Sequence, residues 1–145
     1  MLLESAEATE RLGAAMASSL RVGDSIALFG DLGAGKTTFT RGLIRGLGFE
    51  GDVASPTFSI VQTYEELRVP VWHVDLYRIE HPNELGELAL DEARDNAAVV
   101  IEWPERLGGL LWEDALRLHL TTAPGDARSL TAQVPPAWGE RWPPR

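Results

Sequence analysis

The sequence predicts an α/β fold, a three-layer sandwich whose mixed sheet has a parallel core and antiparallel additions. Three observations indicate this class. A short buried strand, a glycine-rich turn and an amphipathic helix follow one another over residues 25–48, as in a parallel βα unit. The continuous apolar run NAAVVIEW is typical of a strand that is covered on both faces. Two pairs of alternating runs have short connections, which favour antiparallel hairpins.

The elements are expected in a simple order along the chain. The first helix is amphipathic, ends at RVGD and carries four apolar residues at helical spacing, which are Ala8, Leu12, Met16 and Leu20. SIALF is a strand, and KTTFTRGLIRGLG is a helix that Gly48 ends. FSIVQTY and VPVWHVDLYRI form one hairpin, an acidic helix follows, and LRLHLTT and SLTAQV form the last hairpin. Residues 1–134 are therefore expected to be one domain and residues 135–145 a flexible tail.

Composition and charge exclude several classes of function. The chain has no cysteine, so it can form neither a disulfide framework nor a thiolate metal site. Its formal net charge is −9, and residues 80–95 hold six carboxylates and one arginine, so we expect the chain alone to bind nucleic acid poorly. That acidic segment is either a solvated helix face or a docking face for a basic partner. Acidic residues near the start and the absence of a long apolar run predict a cytoplasmic protein with no membrane segment.

The stretch FGDLGAGKTTF, residues 29–39, indicates a phosphate-binding loop. It matches the pattern G-x-x-x-x-G-K-[ST] and lies between a predicted strand and a predicted helix. Glycines allow the backbone N–H groups to converge, and the helix N-terminus adds a partial positive charge. Lys36 is the only lysine beside twelve arginines, and its compact ammonium group can reach between terminal phosphates. The predicted nucleotide contacts are Gly33, Ala34, Gly35, Lys36, Thr37 and Thr38.

A polyphosphate at this loop predicts a Mg²⁺ site. The hydroxyl of Thr37 is the expected protein ligand, and a carboxylate should approach from a neighbouring strand. Glu102, expected at the carboxyl end of its strand, is assigned to the metal, and Asp75, expected mid-strand, is assigned to positioning or deprotonating the attacking water. The exchanged roles stay open. Thr57 in the loop ASPTF either senses the γ-phosphate as a switch residue or belongs to a simple corner.

Four motifs in this order resemble the TsaE (YjeE) family over residues 5–134: GDLGAGKTTFTRGLIRGLG, SPTF, HVDLYRI and VVIEWPERL. The resemblance implies a P-loop ATPase that acts with TsaD and TsaB subunits in the threonylcarbamoyladenosine modification of tRNA, with the tRNA bound chiefly by those partners. It also implies that Lys36, Thr37, Thr57, Asp75 and Glu102 lie at the nucleotide, Trp103 lies beside it, and Thr9, Glu105 and Arg128 lie at its edges.

Two other functions share a phosphate loop and stay open at this point. A small-molecule kinase would need a lid or acceptor domain, for which 145 residues leave little room. A nucleotide-dependent adaptor could require ATP binding without turnover. A GTPase is excluded because its Asn-Lys-x-Asp guanine motif needs a second lysine. As an ATPase, the isolated chain is expected to be slow until its partners complete the site.

Overall fold

The computed structural model describes residues 1–31, 33–53, 60–81, 84, 86 and 89–144. Within this part the strands are β1 (Leu2–Leu3), β2 (Ser25–Phe29), β3 (Val61–Tyr64), β4 (Val71–Asp75), β5 (Ala98–Glu102), β6 (Leu116–Thr122) and β7 (Arg128–Gln133). The helices are α1 (Ala6–Met16), α2 (Lys36–Gly46) and the single turn α3 (Leu90–Ala93). Short 3₁₀ turns occupy Pro104–Leu110 and Pro136–Arg141.

The strands form one mixed sheet in the order β1-β7-β6-β2-β5-β4-β3. The four central strands, β6, β2, β5 and β4, are parallel. β3 pairs antiparallel with β4 at one edge, and β7 and then β1 add antiparallel strands at the other. The predicted fold class and both predicted hairpins are therefore confirmed, whereas the two-residue strand β1 had no signal in the sequence.

Helices α1 and α2 pack side by side on one face of the sheet. Their backbones approach so closely that a Cβ atom at Gly13 would lie 2.1 Å from the carbonyl oxygen of Phe39, and one at Gly42 would lie 1.9 Å from that of Glu10. The larger apolar core lies beneath them and includes Met16, Phe39 and Leu43. A smaller core on the opposite face brings α3 and the first 3₁₀ segment onto β4 and β5. Three layers result, as the sequence predicts.

The C-terminal segment differs from the flexible tail that the sequence predicts. Trp138 is 1% exposed and belongs to the larger core. Arg141 donates from Nη1 to Asp24 Oδ2 at 2.6 Å and from Nη2 to Oδ1 at 3.0 Å, and Nη1 also bonds the carbonyl of Ser19 at 2.9 Å. The expectation is wrong for Pro136–Arg141 because this segment has a large apolar side chain to bury and a charge to pair.

The predicted helices differ from the observed ones mainly in length. α1 ends at Met16 rather than continuing to Leu20, although Leu20 is still buried. α2 ends as predicted, with Gly48 in the left-handed conformation and the Phe49 N–H bonded to the carbonyl of Ile44. Of the expected acidic helix, part lies outside the described residues, and the described remainder includes the single α-helical turn α3. No described helix is long and apolar enough to cross a membrane.

Candidate functional site

The loop between β2 and α2 has the backbone that a phosphate site requires. Gly35, directly before α2, has φ 103°, a conformation that side chains other than glycine rarely adopt. A Cβ atom at Gly30 would lie 2.6 Å from the carbonyl oxygen of Leu120. α2 has no side-chain cap, and the first N–H groups of a helix lack intrahelical acceptors, so these donors are available to an anion. The strand–loop–helix context of the motif is thus confirmed.

A cavity of about 270 Å³ lies over this loop. It brings together ten of the residues predicted from the sequence, which are Thr9, Gly33, Gly35, Lys36, Thr37, Thr38, Asp75, Glu102, Trp103 and Arg128. It also includes three lining residues that sequence reasoning missed, Ala6, Tyr77 and Asp126. Ala34, within the loop, is buried and does not line the cavity, and Glu105 is not among the lining residues. Thr57, the predicted switch residue, lies outside the described part of the chain.

Lys36 is a buried cation at the bottom of the cavity. Lys36 is only 4% exposed, and its Nζ donates to the carbonyl oxygen of Gly30 at 2.6 Å. Nζ also lies 3.9 Å from the ring centroid of Trp103, a cation–π contact. Burial lowers the pKa of Lys36 from its usual value, although the negative charges of Glu102 and, more weakly, Glu105 oppose that shift. Within the described residues, Lys36 forms no direct ion pair.

Two carboxylates end adjacent parallel strands beside Lys36. Asp75 is the last residue of β4 and pairs in register with Glu102, the last residue of β5. The expectation of Asp75 in mid-strand is therefore wrong: the chain turns directly after it, and Asp75 Oδ1 accepts a hydrogen bond from the Tyr77 N–H at 3.0 Å. Strand position alone consequently does not separate the roles of the two acids.

Contacts and burial do distinguish the two acids. Glu102 is 3% exposed, and its carboxylate oxygens lie 3.3 and 3.4 Å from Thr37 Oγ1. His73 Nε2 lies 2.6 Å from Glu102 Oε2, a contact that sequence reasoning missed. The sequence places His73 on the same strand face as Asp75, but nothing in the local pattern shows that this face is buried under α2. Glu102 is thus the acid that faces the predicted metal-binding hydroxyl.

The remaining predicted residues form the rim of the cavity. Arg128 begins β7 and donates from Nη2 to the carbonyl of Gly33 at 3.0 Å, so it links the start of β7 to the phosphate loop. Trp103 has φ 59° and ψ 48°, a left-handed conformation, and its ring centroid lies 5.0 Å from that of Tyr77. Thr9 on α1 is buried, with its methyl group beside Gly35. Three separate elements therefore enclose the loop.

The donor set suits Mg²⁺ that arrives with phosphates. Among the described residues, no group of three or more His, Asp or Glu side chains could hold a metal ion by itself. Mg²⁺ in nucleotide sites takes one or two protein oxygens and completes its shell with phosphate and water. Thr37 and Glu102 supply such oxygens within 3.4 Å of each other. The residues therefore fit a nucleotide-bound Mg²⁺ rather than a permanent metal centre.

Comparisons with known proteins agree with this geometry. Residues 3–130 match the family described as threonylcarbamoyl adenosine biosynthesis protein TsaE. The chain is 44% identical over 135 residues to the tRNA threonylcarbamoyladenosine biosynthesis protein TsaE of Streptomyces coelicolor, covering 90% of this chain and 91% of that protein. It is 40% identical to the protein of the same name from Bacillus subtilis, covering 86% and 78%. The crystal structure of Bacillus subtilis YdiB superposes with a TM-score of 0.77 at 31% identity, covering 91% of this chain and 82% of that one.

Proposed function

This chain belongs to the TsaE family of tRNA threonylcarbamoyladenosine biosynthesis proteins, and we propose that its part in that modification is to bind ATP with Mg²⁺ and to hydrolyse it. The resemblance found in the sequence is thereby confirmed at the level of the family. The observation that carries the proposal is Lys36, a buried ammonium group without an ion-pair partner among the described residues, beside the uncapped N-terminus of α2. A polyphosphate supplies the missing negative charge.

Four polar residues of the cavity, Lys36, Thr37, Glu102 and Asp75, have roles in the proposed reaction. Lys36 contacts the terminal phosphates, and the first N–H groups of α2 hold the phosphate oxygens. Thr37 and Glu102 hold Mg²⁺, which when bound neutralises charge that develops on the phosphates. Asp75 ends the neighbouring strand and lines the same cavity, so it is the group that positions or deprotonates water. Thr57 is kept as a proposed γ-phosphate contact.

Partners are part of the proposal. Among the described arginines only Arg128 lines the cavity, and its guanidinium group already bonds the carbonyls of Gly33 and Ala127. A further cation for the transition state would have to come from another subunit, so hydrolysis by the isolated chain should be slow. We propose subunits of the TsaD and TsaB type as these partners, in the cytoplasm. They would also bind the tRNA, since this chain carries a net charge of −9.

The experiment compares nucleotide affinity with phosphate release in matched variants. Titration calorimetry with ATP and Mg²⁺ should show a loss of affinity of about 10- to 100-fold for Lys36→Ala, since it removes a charged hydrogen bond. Asp75→Asn should bind ATP within about threefold of the unmodified chain but release phosphate at least about tenfold more slowly. Arg45→Ala is the control, because Arg45 lies on the same helix in a partly exposed pair with Glu10.

Two results would contradict the proposal. Unchanged ATP affinity in Lys36→Ala would mean that the cavity does not hold the phosphates. Normal phosphate release by Asp75→Asn would remove Asp75 from the hydrolytic step while leaving ATP binding intact. Comparison of ATP with a non-hydrolysable analogue in the reconstituted modification reaction then separates an ATPase from an adaptor that needs binding alone.

A further inference from the structure

We propose that His73 is a positioning residue that anchors one oxygen of Glu102, so that the rest of this carboxylate faces Thr37 and can hold Mg²⁺. The proposal rests on the proposed function, because it assigns a role within the same nucleotide site. His73 does not line the cavity. It would act on the metal only through Glu102.

The register of β4 and β5 places His73 two residue pairs before Glu102 on the same face of the sheet. His73 lies opposite Val100 in the β4–β5 ladder, and Asp75 lies opposite Glu102 two residues later. Side chains two residues apart on a strand share a face, so His73 and Glu102 lie on the face that α2 covers. The imidazole Nε2 reaches Glu102 Oε2 at 2.6 Å, with side-chain exposures of 0% for His73 and 3% for Glu102.

Because both side chains are buried, the contact between His73 Nε2 and Glu102 Oε2 should be a hydrogen bond that satisfies the carboxylate. A buried carboxylate is costly unless hydrogen bonds satisfy its oxygens, and a bond to a charged acceptor is stronger than a neutral one. Within the described residues, His73 Nδ1 has no hydrogen-bond partner. We therefore assign the ring proton to Nε2, because a proton on Nδ1 would be an unpaired buried donor. In this tautomer His73 donates to Glu102.

The other side of Glu102 is only loosely bound. Thr37 Oγ1 lies 3.3 and 3.4 Å from its two oxygens, whereas an ordinary bond between a hydroxyl and an oxygen is about 2.7–2.8 Å. The carboxylate of Glu102 is thus held firmly by His73 on the adjacent strand β4 and weakly by Thr37 on the cavity side. Residues that hydrogen-bond a metal ligand fix its orientation, and their removal commonly lowers metal affinity by about 10- to 100-fold.

Two isosteric variants test the proposal. In His73→Gln the side-chain amide nitrogen reaches about the position of Nε2, whereas in His73→Asn it reaches only that of Nδ1. ADP affinity is measured by calorimetry with Mg²⁺ and again with a chelator, and thermal unfolding checks each fold. We expect His73→Asn to lose about tenfold of the affinity gained from Mg²⁺. Its affinity in the chelator should be unchanged, and His73→Gln should keep most of the Mg²⁺ gain.

The outcomes separate this proposal from the proposed function. Equal Mg²⁺ gains in both variants would overturn the positioning role, and so would an equal loss of affinity with and without Mg²⁺, which is the mark of a merely structural residue. If His73→Asn does not fold, His73→Met, which fills the site without a donor, replaces it. Failure of the unmodified chain to bind ADP at all would instead contradict the proposed function.

Discussion

The two ends of strand β2 treat buried charge in opposite ways. At its amino end, Asp24 and Arg141 have side chains only 11% and 12% exposed and bond each other through both carboxylate oxygens. At its carboxyl end, Lys36 is more deeply buried, and its Nζ has a neutral carbonyl and an aromatic ring as partners. The amino end pairs its charges directly within the chain, whereas at the carboxyl end Lys36 has carboxylates nearby but no direct ion pair among the described residues, and in the proposed function it contacts phosphates.

Burial alone therefore does not identify a functional charge. Breaking a buried ion pair leaves one charge uncompensated and is strongly destabilising. In the part of the chain that the structure describes, Lys36 forms no direct ion pair, and the nearby carboxylates only partly offset the effect of its burial. Its charge should therefore lower the stability of the ligand-free protein, and binding of an anionic ligand should offset that loss. The same strand therefore begins in a structural pair and ends at the proposed binding site, and substitutions at the two ends should change different quantities.

The largest effect is expected at the amino end, from Trp138→Ala. Removing a fully buried tryptophan from the larger core should lower the free energy of unfolding by about 3–5 kcal/mol. Urea unfolding followed by circular dichroism measures this loss. Val134→Ala, in the same C-terminal region but 42% exposed, is the control and should change stability by less than about 1 kcal/mol. A small effect of Trp138→Ala would restore the flexible tail predicted from the sequence.

The next largest effect is the difference in stability between substitutions of the two buried cations, Arg141 and Lys36. Arg141→Met should lower the free energy of unfolding by about 3 kcal/mol, because it leaves the buried Asp24 carboxylate without its counter-ion, although the Arg21 N–H still bonds it; ATP affinity should not change. Lys36→Met should leave the stability of the ligand-free protein unchanged within about 0.5 kcal/mol or raise it, because a desolvated charge is removed. Unfolding of both variants without nucleotide measures the contrast. If Lys36→Met were the more destabilised variant, Lys36 would be a structural cation, and both ends of β2 would carry charges that stabilise the fold.

Local patterns in the sequence predict the carboxyl end of the sheet better than the amino end. The phosphate loop, α2 and β5 follow from adjacent residues, since the motif and the apolar run each lie within about a dozen positions. The pair of Asp24 and Arg141 joins residues 117 positions apart, and no local pattern carries that information. For the same reason, a terminal stretch rich in proline and tryptophan resembles a loose tail until the core that receives Trp138 is known.

Within the candidate site, too, local patterns predict some residues but not the contacts between distant parts of the chain. The residues of the motif and Glu102 at the end of β5 are predictable, because parallel strands bring their carboxyl ends to one edge of the sheet. The end of β4 at Asp75 depends on the following turn, and no local pattern shows that His73 is buried. Tyr77 and Asp126 reach the cavity from connections after β4 and β6, so only the folded chain brings them to the loop.

The smallest effect concerns a neutral buried group away from the ligand site. Tyr64 lies opposite Val71, the first residue of β4, and packs edge-to-face on Phe49 with ring centroids 5.0 Å apart. Burial raises the pKa of the Tyr64 phenol above its ordinary value. As the pH rises above about 10, the unfolded chain therefore releases the phenolic proton before the folded chain does. The contribution of Tyr64 to stability is thus fully present below that pH and is lost as the pH rises through the folded pKa.

Urea unfolding between about pH 8 and pH 11 should therefore show less alkaline loss of stability in Tyr64→Phe than in the unmodified chain. The chain suits this measurement, because it has two tyrosines, one lysine and no cysteine. Lys36 is present in both proteins, so its own titration cancels in the difference between them. Tyr77→Phe, at a residue 44% exposed beside the cavity, is the matched control for the loss of a phenol from an exposed position. The same alkaline loss in Tyr64→Phe and in the unmodified chain would mean that the Tyr64 phenol ionises equally easily in the folded and unfolded states, and that the charges responsible lie elsewhere.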